Sequence, residues 1–202
     1  MIPEKLYPDL AQEAEDRTTA HAMVLQVSGT LKRLPDYTLG TMVFYLARLV
    51  DGVFLDYQVA RNAYYRYYRD PSLGGDLSFS AAIVPLLHHI ENCVSNMERV
   101  REVVVAIRNR PSAAASGLKI EKNDWRIAES NEPAISGLRN AIQHAHDDLK
   151  NGVLVQPGIS HNEDGTVSLG AERLSLGGLA SALRAYRRIA AAAVSALRQT
   201  TA

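Results

Sequence analysis

The sequence predicts a mainly α protein: an antiparallel bundle of four long helices plus a C-terminal helix, carrying a small β-hairpin insertion. Three observations lead there. Apolar residues recur at three- and four-residue steps through most of the chain, the signature of helices with one buried face. The period shortens to two only between about residues 153 and 175. Prolines and glycines cluster between the periodic segments, where a chain must turn. The 202 residues, 47% hydrophobic and 22% charged, suit one globular domain spanning 1–202 rather than a disordered chain.

A first helix is expected over residues 9–33. Asp9 stands at its N-cap, and Glu13, Glu15 and Asp16 favour the positive end of its dipole. Ala20, Met23, Val24, Val27 and Leu31 form the expected inward stripe, and Pro35 stops the run. The second helix, Leu39 to about Arg69, steps through Val43, Leu46, Val50, Val53, Tyr57, Ala60 and Tyr64. Asp70-Pro71 ends it, because the residue before a proline avoids the α region. The third, Ser78 to about Asn109, carries Leu86, Ile90, Val94, Met97, Val100, Val104 and Ile107, with Pro85 in its first turn or at a kink.

Residues 110–131 are rich in small and polar side chains and read as a long loop anchored by Trp125. The fourth helix is expected from about Glu132 to Lys150. Ser130 or Asn131 would cap it, Pro133 suits its first turn, and Asn151-Gly152 stops it. Val153-Leu154-Val155 and Thr166–Leu169 are strand-like, Asp164-Gly165 supplies a turn, and Glu172–Ser175 extends the hairpin toward a meander. The last helix, about 178–198, has the stripe Leu179, Leu183, Tyr186, Ile189, Ala193, Leu197.

Composition narrows function by exclusion. With 22 Lys plus Arg against 22 Asp plus Glu the formal charge is zero, so there is no general basic excess of the kind that marks a phosphate-coated partner. A lone Cys93 allows no internal disulfide and no four-cysteine zinc site. The start, MIPEKLYPDL, has neither the basic nor the apolar region of a secretion signal. No apolar run approaches the ~18 residues of a bilayer span. The expectation is a cytoplasmic protein without cofactor.

One motif bears on chemistry. The fourth helix contains Arg139-Asn140-Ala141-Ile142-Gln143-His144. Cleavage of RNA by its own 2′-hydroxyl needs a proton acceptor, a proton donor and a cation for the crowded phosphate. Histidine, titrating near 6.5, fills either proton role. Arginine presents a planar fork matched to phosphate oxygens, and asparagine can orient the histidine or bond a phosphate oxygen. On a helix Asn140 and His144 share a face, while Arg139 and His144 lie about 140° apart. A two-fold dimer across this helix would bring two copies of each residue to one groove and supply separate acid and base.

The motif resembles the Arg-Asn-x-x-x-His signature of the HEPN superfamily, strictly over three residues of one helix and compatibly over the helix count. That resemblance implies a small α-helical bundle, often a metal-independent ribonuclease or toxin component working as a homodimer, with Arg139 and His144 as catalytic pair and Asn140 as polar neighbour. It also implies RNA as substrate and an antitoxin as a protein partner. The chain departs from many small members in carrying about fifty residues beyond the motif, including the hairpin and a helix. Chains extended this way look similar to bacterial HEPN-like proteins for which no function is implied.

Several other features compete. Arg61, Tyr64, Arg66 and Arg69 alternate rings and cations as single-strand RNA binders do; the same tyrosines suit a core or a protein interface, with arginines reaching outward. The segment 173–198 holds Arg173, Arg184, Arg187, Arg188 and Arg198 without an acid, and pairing with the acidic N-terminal helix is its expected use. His88-His89 and His144-x-His146 diverge on a helix and make no good single-metal set, so no metal is expected. Three functions remain open: a HEPN-type ribonuclease, a non-catalytic helical interaction module of the same fold and, last in rank and on fold analogy only, a nucleotide-binding regulator.

Overall fold

The computed structural model describes residues 1–14, 18–34, 36–69, 76–152 and 158–200. The helices are α1 (Ala11–Ala14), α2 (Thr18–Val27), α3 (Tyr37–Arg69), α4 (Asp76–Arg108), α5 (Pro111–Ala115), α6 (Lys122–Lys150) and α7 (Leu176–Thr200). Strands β1 (Ser160–His161), β2 (Thr166–Leu169) and β3 (Glu172–Ser175) lie between α6 and α7. The protein is therefore mainly α with a small antiparallel β insertion.

Four long helices close a ring: α3 touches α4, α4 touches α6, α6 touches α7, and α7 returns to α3. Their directions follow from which residues meet. Arg101 of α4 reaches Glu129 of α6 while Glu98 reaches Arg139, so these helices run antiparallel. Asp124 meets Arg188 and Asn131 lies beside Gly178, so α6 and α7 do too. The inward faces are those the three- and four-residue steps predict: Leu46, Val50, Val53 and Tyr57 on α3, Ile90, Val94, Met97 and Val104 on α4, and Leu179, Leu183, Tyr186 and Ala190 on α7 are all buried. Burying each large side chain is worth about 1.5 to 3 kcal/mol. Asp36 caps α3 by accepting from Leu39 N at 3.0 Å, and it also accepts from Ser112 Oγ and Arg110 Nε, which ties α5 to the start of α3.

The sheet has order β1-β2-β3, with Ser160 opposite Ser168 and Leu169 opposite Glu172. Gly170 opens the two-residue β2–β3 loop with φ 61°, a backbone state glycine adopts without strain. Val167, Leu169 and Leu174 turn inward, and β3 lies along α6, where the absence of a side chain at Gly137 lets the Glu172 carboxylate approach the helix.

The N-terminal residues form a strap along α3. Tyr64 Oη accepts from Ile2 N (2.7 Å), Tyr65 Oη donates to Ile2 O, Arg61 Nε donates to Tyr7 O (2.9 Å), and Tyr57 Oη donates to Pro8 O. Tyr7 is wholly buried, with its ring against those of Tyr57, Tyr64 and Tyr65.

The structure departs from expectation in four places. Of the helix expected over 9–33, the described residues hold α1 and α2, and beyond Gly29, at φ 71°, the chain passes into a short 3-10 turn at Thr30–Arg33 instead of continuing as α-helix. Its inward face is also different: Thr18, Ala22 and Leu25 are buried, whereas Met23, Val24 and Val27 are exposed. Two apolar faces were available on this helix, and contact with α3 and α7 selected the one carrying Ala22 and Leu25. Much of the loop expected at 110–131 is helical, since α5 occupies its start and α6 begins at Lys122. Pro133 therefore stands inside α6, and Asn131 and Ser130, instead of capping, donate to the Ile127 carbonyl. Trp125 packs against the core with the Arg108 guanidinium 5.0 Å from its ring centroid. Finally, α3 is long and apolar enough, by length and composition, to cross a bilayer, contrary to the expected lack of any such segment; its apolar side chains largely build the core. The expected turn at Asp70-Pro71 and the strand Val153-Leu154-Val155 lie outside the described residues.

Candidate functional site

Helix α6 presents two faces. Ile135 and Leu138 point into the bundle, with Ile142 and Ala145 packed beside them. Asn140, Gln143, His144 and Asp147 are exposed. Asn140 and His144, one turn apart, thus share an outward face, as their spacing requires. His144 has no hydrogen bond or ion pair among the described residues, and neither Asp147 nor Asp148 engages it.

Arg139 is turned the other way. It is half-buried against α4, where Nε lies 2.7 Å from Glu98 Oε2. That oxygen has no aligned hydrogen-bond donor among the described residues, so the contact is one of charge and not of direction. Nη1 of Arg139 donates to Asn140 Oδ1 at 3.1 Å. The fork is therefore shared between an acid on α4 and the asparagine that opens the exposed face. Within one chain the structure brings Arg139 and Asn140 together and leaves His144 further along the same helix. Glu98 is the participant that sequence reasoning missed. It is one of four acids in the sequence of α4, and only the antiparallel α4–α6 packing brings it to the motif.

The second set does not form one exposed surface. Arg61 is 8% and Tyr64 2% exposed, both engaged by the strap. Arg61 pairs with Asp9 at 3.0 Å and lies over the Tyr65 ring, and burial raises the Tyr64 hydroxyl to about 12. Arg66 and Arg69 are exposed, and Arg69 pairs with Glu4. Tyr7 and His161 pack against the Tyr64 ring and the strap engages Arg61, so these two members of the set are not open to a base, while Arg66 and Arg69 stay at the surface.

The arginines of α7 pair internally. Arg184 Nε donates to Glu13 at 2.7 Å, Arg187 bonds Asp51 and the Glu13 carbonyl, and Arg188 bonds Asp124 at 2.7 Å. His89 Nδ1 meets Asp56 at 2.7 Å and His88 Nε2 meets Asn92 at 3.0 Å. Among the described residues no group of three His, Cys, Asp or Glu side chains could hold a metal ion. Cys93 is fully buried, and burial pushes its thiol well above the usual range, which leaves it without thiolate character.

Fold and site together define a mainly α helical bundle with a small β insertion and an exposed Asn-His pair on one helix. Searched against family models, curated proteins and solved structures, the chain finds no match.

Proposed function

We propose that the chain is a metal-independent endoribonuclease of HEPN type, a candidate toxin component acting as a homodimer in the cytoplasm. The observation that carries the reading is the position of Asn140 and His144, exposed on one face of α6 with Arg139 hydrogen-bonded to that face through Asn140. In a two-fold pair of α6 helices, one imidazole accepts the 2′-hydroxyl proton and its mate donates to the leaving 5′-oxygen. Arg139, turning from Glu98, neutralises the phosphate. A second reading, a non-catalytic interaction module, is favoured by one observation: Glu98 already balances Arg139.

The test is cleavage of labelled RNA in EDTA by micromolar protein, with oligomeric state followed by analytical ultracentrifugation. The ribonuclease reading expects a dimer whose cleavage is abolished in His144→Ala and raised in Glu98→Gln, which frees Arg139. RNA left intact by a verified dimer would overturn it and leave the interaction module.

A further inference from the structure

Away from α6, between α1, α3 and α7, lies a cavity of about 270 Å³ lined by Glu13, Phe54, Arg184, Arg187, Arg188 and Ala191. Three of its six lining residues are arginines from two adjoining turns of α7, and one is an acid. Arg187 is the built part of the wall. Its side chain is 7% exposed and its guanidinium sits 4.0 Å over the Phe54 ring. Asp51 and the Glu13 carbonyl fix its two Nη groups, while its buried Nε has no acceptor among the described residues. A buried guanidinium N–H without an acceptor costs free energy that an incoming anion would recover. Arg184 gives Nε to Glu13 and leaves both Nη groups without an acceptor among the described residues. A neighbouring cavity shares Ala191 and has His21 and Arg198 in its lining.

The acids around these arginines do different work. Asp51 comes from α3 and Asp124 from α6, and each clamps one guanidinium from behind. Glu13 comes from α1, four residues long, and is itself one of the residues lining the opening. With Glu13 in place three guanidiniums face three carboxylates among the described residues. With Glu13 swung out they face two among the described residues, and the released Nε of Arg184 joins its Nη groups in a planar fork that matches an oxyanion.

From this we infer that the α1–α3–α7 cavity is a binding site for a small phosphomonoester, whose dianionic phosphate displaces the Glu13 carboxylate from Arg184 and bonds Arg184, Arg187 and Arg188. The site is independent of the ribonuclease reading, since it shares no residue with Arg139, Asn140 or His144. The cavity volume admits a phosphate with a small organic group and excludes a nucleic-acid strand from its floor.

The test is isothermal titration of the full chain with inorganic phosphate and with ribose 5-phosphate, against sodium chloride at matched ionic strength. A 5′-phosphorylated trinucleotide serves as the long-chain arm. Saturable binding of both small probes is expected, about tenfold tighter in Glu13→Gln, which removes the competing charge. Binding is expected to be lost in Arg188→Gln, a half-exposed position whose replacement leaves the circular-dichroism spectrum unchanged. Heat that merely follows ionic strength, an unaltered affinity in Glu13→Gln, or binding by the trinucleotide alone would each overturn the assignment.

Discussion

Lowering the pH from 7 to 5 is expected to cost the folded state about 2 kcal/mol through one imidazole, that of His161. The ring stacks on Tyr64 and Tyr7 with centroids 5.4 and 6.3 Å away, and its Nε2 is buried without a hydrogen-bond partner among the described residues. Burial lowers the pKa from the ordinary 6.5 to about 4. Between those values the unfolded chain binds the proton and the folded one does not, so stability is lost as pH falls. Integrated from pH 7 to 5 the loss is about 2 kcal/mol, reaching about 3 kcal/mol below pH 4. With a urea m-value of about 2 kcal/mol/M, the midpoint should fall by about 1 M. Hydrogen bonds from Ser112 and Thr166 hold the Asp36 and Asp164 carboxyls below their usual range, so these two groups add their losses only at more acid pH. Burial raises Glu91 and so acts in the opposite direction. The assay is urea unfolding at pH 7 and pH 5 for wild type and His161→Phe. Equal pH slopes in the two proteins would refute the reasoning, because the variant has no imidazole to charge.

Arg61→Ala removes the bond to Tyr7 O, the pair with Asp9 and the contact over Tyr65. It should cost about 2 to 4 kcal/mol and expose the N-terminal strap to proteolysis before global unfolding. Gly165→Ala is strained twice, by φ 79° and by a Cβ that would lie 2.6 Å from Leu6 Cβ. A loss of about 1 to 3 kcal/mol, read as a lower melting temperature, is expected. Leu183→Ala empties a site that is 1% exposed in the core and should cost about 2 to 5 kcal/mol by chemical denaturation. His144→Ala, on an exposed face, should change stability by less than about 0.5 kcal/mol; a large loss there would show that the imidazole is structural.

The helices of the ring were legible because burial imposes its period on the sequence. Leu39 to Arg69 carries that period for nine turns, and the stripe of α7 from Leu179 to Leu197 is buried along its length. Where two periods or two faces competed, sequence alone failed. On α2 the apolar residues Met23, Val24 and Val27 suggested the inward side, yet Ala22 and Leu25 take it. In 122–131 polar residues concealed a helix, because α6 there exposes much of its circumference.

The candidate site divides the same way. That Asn140 and His144 share a face, and that Arg139 does not, follows from 100° per residue and needs no structure. That Arg139 meets Glu98, that Arg61 and Tyr64 hold the N-terminal strap, and that Glu13 stands at a wall of three arginines depends on residues far apart in the chain. Local geometry is written into the order of side chains along one helix. Partnership across helices is settled only when the packed bundle fixes which turns lie opposite each other.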